Sequence, residues 1–334
     1  MQNINATKKI KKEEIIYGEI PERVLWFYRR GYLNSSQSAR LVIANVWLFA
    51  SVALILGIFQ PASSFNYAKP LVYIGAIAVT PIAMKLFRTE FYRIYPLIVF
   101  GLLYDIISIL QFYLNITPNL SILYKFDLIL FGWLFGGEPP SFFFYENHQP
   151  LLDILFALIY FSQAFVPFIF FFYYRMSNCE DIPILLWAVA FIGGAAAFFF
   201  IFFPTAAPWY VYNFGLDPSK VHALKPEIAT AGLWYADQAL GTDFFVSFFW
   251  TNTQAKFAAF PSLHVGTIAL LYFFAKEKNL TFQTTLRIYL LSMIVAVVYL
   301  NHHWVADTLM GLLLAFLSIK LSGILYSKNI DETL

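Results

Sequence analysis

Residues 288–325 read IYLLSMIVAVVYLNHHWVADTLMGLLLAFLSIKLSGIL. Two apolar runs, 288–300 and 304–325, are joined by Asn301, His302 and His303, and an acid, Asp307, follows one turn into the second run. Apolar runs approaching about 20 residues match the hydrocarbon core of a bilayer when helical. The segment therefore predicts two membrane helices with a polar turn between them. On a helix His303 and Asp307 stand at i and i+4 and share one face, so the carboxylate can accept the imidazole N–H. That contact fixes the tautomer and raises the basicity of the other ring nitrogen, which prepares a histidine as nucleophile or base. As a bare pattern the pair also fits a helix start that satisfies itself in the interface. Ionisable groups at membrane depth are, however, kept mostly for function.

The rest of the chain has the same character. Further apolar runs lie at 41–59, 71–86, 94–114, 151–174, 182–203 and 262–275, giving about eight transmembrane helices in an all-α, polytopic membrane bundle. Of 334 residues, 60% are hydrophobic, 20% aromatic and only 13% charged, with mean hydropathy +0.64. Soluble domains are near a quarter charged. A net charge of +2 gives no reason to expect nucleic acid as a partner. The single cysteine, Cys179, excludes an intramolecular disulfide and a cysteine-rich metal cluster. The N-terminal stretch is polar, with Lys8, Lys9, Lys11 and Lys12 and no apolar core, so no cleavable signal peptide is expected.

Basic residues fall on alternate loops: Lys8 to Arg40; Lys85, Arg88 and Arg93; Arg175; Lys276, Lys278 and Arg287; Lys320 and Lys328. The positive-inside rule makes that face cytoplasmic. The opposite face receives 60–70, 115–150, 204–261 and the 301–303 turn, so the histidines are expected at the non-cytoplasmic end. The expected organisation is a basic cytoplasmic segment, 1–40; two extra N-terminal helices, 41–93; a six-helix catalytic membrane domain, 94–325; and a cytoplasmic tail, 326–334. Within 115–150, residues 126–135 are too short and interrupted to span and predict a helix lying in the interface. The phenylalanine-dense runs 168–174 and 198–203 read as lipid-facing or packing surface.

A second polar cluster, Phe260-Pro261-Ser262-Leu263-His264, precedes the sixth apolar run. Pro261 near a first helical position and Ser262 as a cap mark a helix start on the same face as His303. Two helix starts with unpaired N–H groups then face one another, an arrangement that attracts anions and phosphate above all. His303, oriented by Asp307, can attack phosphorus, and His264 can protonate the departing oxygen. The inferred chemistry is phosphoryl-group transfer through a phosphohistidine. His264, His302, His303 and Asp307 would also suit a metal by ligand type, but nothing else in the sequence supports one, so no metal and no cofactor are expected.

Pro261-Ser262-Leu263-His264 followed by His303-x-x-x-Asp307 resembles the second and third motifs of the type 2 phosphatidic acid phosphatase superfamily, an all-helical membrane fold. Tyr299-Leu300-Asn301-His302-His303-Trp304, the run from Phe203 to Tyr210, and Asp127 with Leu130-Phe131-Gly132 are similar in wording to its inositol phosphorylceramide synthase branch. The resemblance covers roughly 94–325. It implies His303 as nucleophile, His264 as leaving-group acid and Asp307 as the orienting acid. Phosphatase members have Ser-Arg where this chain has Ala296 and Val297, and their first motif is missing here too. Charge on a phosphate must then be met by helix ends and by the 204–261 loop, which offers Lys220, His222, Lys225 and Lys256.

Ser262, Pro208, Trp209, Tyr210 and His302 are the candidate substrate-binding residues; 204–210 would equally end a helix and anchor rings at the headgroup level. Asp237 and Asp243 are candidate acceptors for a hydroxyl-rich group such as inositol, or members of a solvated loop. Asn115-Ile116-Thr117 and Asn119-Leu120-Ser121 match the glycosylation pattern. Three functions follow: transfer of an inositol-phosphate-like headgroup between membrane lipids, hydrolysis of a lipid phosphate or polyprenyl pyrophosphate with water as acceptor, and non-catalytic lipid binding.

Overall fold

The computed structural model describes residues 35–58, 68–86, 98–107, 110, 117–176, 181–219, 226–252 and 257–331. Fifteen α-helices follow in order among them: α1 (Ser35–Ile58), α2 (Ala68–Leu86), α3 (Ile98–Ile107), α4 (Ile122–Phe131), α5 (Pro140–Glu146), α6 (Pro150–Ser162), α7 (Val166–Met176), α8 (Ile182–Phe202), α9 (Pro208–Phe214), α10 (Pro226–Ala229), α11 (Gly232–Leu240), α12 (Phe244–Asn252), α13 (Leu263–Glu277), α14 (Gln283–Tyr299) and α15 (Val305–Asp331). Among the described residues, extended pairing is limited to isolated parallel bridges of Thr205 with Asn119 and with Ala258. The all-α class stands.

Among the described residues, two helices, Ile182–Phe202 and Val305–Ile324, are long and apolar enough to cross a membrane. The pair Pro150–Ser162 and Val166–Tyr174, bent by 45°, forms a third span if taken together. The bend has a chemical cause, because Pro167 has no N–H to give the Gln163 carbonyl. Shorter apolar stretches, of 10–17 residues, are Val42–Ile58 within α1, Lys69–Ala83 within α2, α3 and α14.

The central bundle packs α13 against α15 and α14, with α8 behind α15 and α6 beside α14. Its buried centre includes Ile192, Val265, Ile268, Leu271, Met293, Val297 and Ala315. Helices α1 and α2 pack on one another and, with α3, enclose a separate small core around Val46, Ala50, Tyr73 and Leu102. In α7, Phe168, Ile169 and Phe172 are exposed while Phe170 and Tyr174 are buried, which divides that aromatic run between outward and packing faces.

α13 and α15 approach through glycines. A Cβ on Gly311 would lie 2.4 Å from the Ser262 carbonyl oxygen, and one on Gly266 would lie 2.7 Å from Ile192 and 3.4 Å from the Gly311 oxygen. Small residues let helix backbones touch where lipid offers no hydrophobic drive to associate. The Ser262 N–H also donates to the Asp307 carbonyl at 3.1 Å. The two helix starts are therefore locked together.

α4 begins a few residues before the expected interfacial stretch and is continued by a 3-10 turn, Gly132–Leu134. Ile129 and Trp133 are exposed and Asp127 is fully buried, so the helix is two-faced as an interfacial helix must be. Asn119, one of the two glycosylation-pattern asparagines, uses its Oδ1 to accept the Ser121 and Ile122 N–H groups ahead of α4; Asn115 lies outside the described residues.

Candidate active site

His264 is the second residue of α13, and His303 sits in the turn just before α15. His264 Nδ1 lies 3.2 Å from His303 Nε2, and His303 Nδ1 lies 3.2 Å from Asp307 Oδ2. A carboxylate only accepts, so His303 donates from Nδ1 and keeps a lone pair on Nε2; His264 then donates to that nitrogen from its own Nδ1. Asp307 Oδ2 also accepts the Trp304 N–H at 2.9 Å. Asp307 is fully buried and His303 nearly so. Burial lowers the His303 imidazole to about 4, leaving it neutral near pH 7.

The turn bearing the histidines is shaped by Asn301 in the left-handed region, φ 61°, which asparagine tolerates better than most residues. The 204–261 loop then clasps it. Trp209 N–H donates to the Asn301 carbonyl and Gly232 N–H to that of Leu300. Trp304 Nε1–H donates to the Ala206 carbonyl at 2.9 Å. His302 Nε2–H donates to the Thr230 carbonyl at 3.0 Å, and burial, then the neighbouring His303, lower its imidazole to about 3. A Cβ at Gly232 would fall 2.7 Å from the Leu300 Cα, so only glycine admits this clasp.

One expectation is corrected here. The start of α15 is not an open anion site, because Asp127 occupies it, accepting from Val305 N–H at 2.7 Å and Ala306 N–H at 3.0 Å. Burial pushes the Asp127 carboxyl up to about 7, opposed by those two donors. At the start of α13, Ser262 Oγ accepts the Val265 N–H at 3.4 Å. That leaves Leu263 and His264 as first-turn N–H groups with no intrahelical acceptor.

His264, His302 and His303 line a cavity of about 360 Å³ whose other walls include Tyr104, Tyr160, Gln163, Trp209, Thr230, Phe249 and Thr267. Of the remaining predicted residues, Trp209 lines it. Pro208 opens α9, Tyr210 is buried with its hydroxyl donating to the Asp217 carbonyl, and Ser262 caps α13. Asp237 does not face an inositol. It is buried and accepts from Thr242 Oγ1, Phe245 N–H and Val246 N–H, which spends both oxygens on the start of α12. Asp243 is exposed and accepts from Ser247 Oγ. Lys220, His222, Lys225 and Lys256 lie outside the described residues. Among the described residues no lysine or arginine lines the cavity.

Tyr160 is the main residue that sequence reading missed. Its ring stacks on His264 at 4.3 Å and on His302 at 4.9 Å, bridging the two. One tyrosine among 21 in an aromatic chain carries no local signal. Asp127 did carry one, since a lone acid in an amphipathic helix needs a buried partner.

The family model of the PAP2 superfamily matches residues 133–321, more than half of the chain, including His264, His302, His303 and Asp307. The chain belongs to the PAP2 superfamily. Among curated relatives of this PAP2 protein, the phosphoinositol dihydroceramide synthase of Bacteroides thetaiotaomicron is 26% identical over 66% of this chain and 73% of its own length. The catalytic subunit of inositol phosphorylceramide synthase from Schizosaccharomyces pombe is 26% identical over 55% of this chain, and that from Saccharomyces cerevisiae 30% identical over 40%. Those alignments span only 43% and 32% of the fungal proteins' lengths. No solved structure matches the chain significantly. This PAP2 protein is a membrane enzyme acting on lipid phosphoesters.

Proposed function

We propose that this enzyme moves an inositol-phosphate-type headgroup from a donor phospholipid to the hydroxyl of a ceramide-type acceptor through a phosphohistidine on His303. The observation that carries the reading is the chain of contacts Asp307, His303 Nδ1, His303 Nε2, His264 Nδ1, ending on the wall of an aromatic cavity. The phosphate enters between the two facing ring nitrogens. His303 Nε2 attacks phosphorus, the bond from phosphorus to the diacylglycerol oxygen breaks, and His264, entering the step as the imidazolium, gives that oxygen a proton and is left neutral. The acceptor hydroxyl then returns a proton to His264 while its oxygen attacks phosphorus, and the P–N electron pair goes back to His303. Asp307 holds the Nδ1 proton throughout and stabilises the charge the ring gains.

The cavity's lack of lysine and arginine among the described residues supports a diester donor over a monoester. A phosphodiester carries one negative charge, whereas a phosphomonoester with its second pKa near 6 carries close to two at neutral pH. The first-turn N–H groups of α13 and the imidazoles are better matched to the smaller charge. The relatives named above are synthases of phosphoinositol-bearing ceramides, which agrees with this donor and acceptor. In this reading residues 94–325 form the catalytic domain behind two accessory helices, and the site opens to the non-cytoplasmic face.

The test is product analysis of the purified protein with phosphatidylinositol and dihydroceramide. Appearance of the phosphoinositol lipid and diacylglycerol together is expected, with loss of both in His303→Ala. Inorganic phosphate released from phosphatidic acid with no transferred headgroup would establish hydrolysis instead. Unchanged lipid products in His303→Ala would leave only a non-catalytic role.

A further inference from the structure

Besides the histidines, the described side chains with polar groups on the cavity wall are those of Tyr104, Tyr160, Trp209, Thr230, Gln163 and Thr267, and the last two lie together. Gln163 Nε2–H donates to Thr267 Oγ1 at 3.0 Å, and Thr267 Oγ1–H donates to the Leu263 carbonyl at 2.8 Å. Because the hydroxyl's one proton goes to Leu263, the amide must turn its nitrogen toward Thr267. Its oxygen, Gln163 Oε1, is thereby fixed as an acceptor, and among the described residues it accepts no hydrogen bond.

Gln163 stands at the bend between α6 and α7, inside an otherwise apolar span. An amide there costs several kcal/mol unless its groups are satisfied. Thr267 lies three residues past His264 on α13, which at 1.5 Å rise per residue is about 4.5 Å along the axis. The pair is thus placed to meet a group a few bonds from a hydroxyl reacting at His264.

Resting on the transferase reading above, we infer that Gln163, held by Thr267, selects the acceptor lipid by taking a hydrogen bond from a donor group beside the reacting hydroxyl, an amide N–H or second hydroxyl of the sphingoid type. Diacylglycerol has a reactive hydroxyl but only ester oxygens beside it, all acceptors, so it leaves Gln163 Oε1 unsatisfied. Both lipids compete for the phosphohistidine, because diacylglycerol has just departed from it. A site built around a hydrogen bond discriminates strongly against an analogue that lacks the partner.

The test uses the purified full chain in mixed micelles with phosphatidylinositol as donor and isotopically labelled dihydroceramide or diacylglycerol as acceptor. The readout is the ratio of kcat/KM for the two acceptors. Gln163→Leu lowers the ratio about 10- to 100-fold, mostly through KM for dihydroceramide. Thr267→Val, which keeps shape but releases the amide, lowers it in the same direction. A fall in either variant supports the assignment. A ratio unchanged in both, including equal losses on both acceptors, overturns it while leaving the transferase intact. Absence of transfer to either acceptor by the unmodified protein removes the transferase reading and this inference with it.

Discussion

Replacing Gly311 with alanine pushes the two histidines apart without touching either. The added Cβ would sit 2.4 Å from the Ser262 carbonyl oxygen, whereas a carbon–oxygen contact needs about 3.3 Å. Ser262 cannot yield, because its N–H is tied to the Asp307 carbonyl and its hydroxyl caps α13. The helices must therefore part by about 1 Å, at an overpacking cost of about 1–3 kcal/mol. His264 moves with Ser262 and His303 moves with α15, so their 3.2 Å contact lengthens. A misplacement of that size costs about 100-fold in rate. The assay is headgroup transfer in micelles alongside the thermal midpoint in detergent. Gly323→Ala on the same helix is the control, since a Cβ there meets nothing within 4 Å. If Gly311→Ala keeps transfer within threefold of the unmodified protein, glycine contact does not set the histidine geometry.

Asp307→Asn is expected to lower kcat by about 100- to 10,000-fold with little change in KM, because the Nδ1 proton of His303 loses its acceptor; steady-state kinetics showing less than a tenfold drop would refute it. Asp127→Ala is expected to destabilise the protein by about 1–2 kcal/mol, the cost of removing a helix-start acceptor, read as a lower thermal midpoint. Because burial holds His303 near 4 rather than about 6.5, the acid limb of kcat/KM should fall well below pH 6. Protonation takes the lone pair that attacks phosphorus, so activity is lost as pH drops through that value. An acid limb at about 6.5 would count against His303 as the buried nucleophile.

Much of the site was legible because its chemistry is local. His303 and Asp307 are four apart across the start of α15, and Ser262 and His264 mark the start of α13, so short spacings already bring each pair to one helix end. The reading of α15 as an open phosphate cradle failed for the opposite reason. Its N–H groups are filled by Asp127, 178 residues earlier, and nothing in the sequence around α15 reports a carboxylate arriving from α4. Asp237, left open between a ligand acceptor and a loop acid, takes its role from the start of α12, from whose N–H groups it accepts. Tyr160 and Gln163 sit in an apolar span where an aromatic or amide side chain reads as packing, and the bend that turns them into the cavity is a three-dimensional event.

Hydropathy and the short spacings indicate a helical membrane protein with two histidine-bearing helix starts, because burial in lipid and helical periodicity act within a single segment. What faces what was decided only by the tertiary structure. The 3.2 Å approach of His264 to His303, the occupied start of α15 and the paired amide of Gln163 each depend on elements far apart in sequence. They arise from side-chain contacts between elements whose relative placement no single segment encodes.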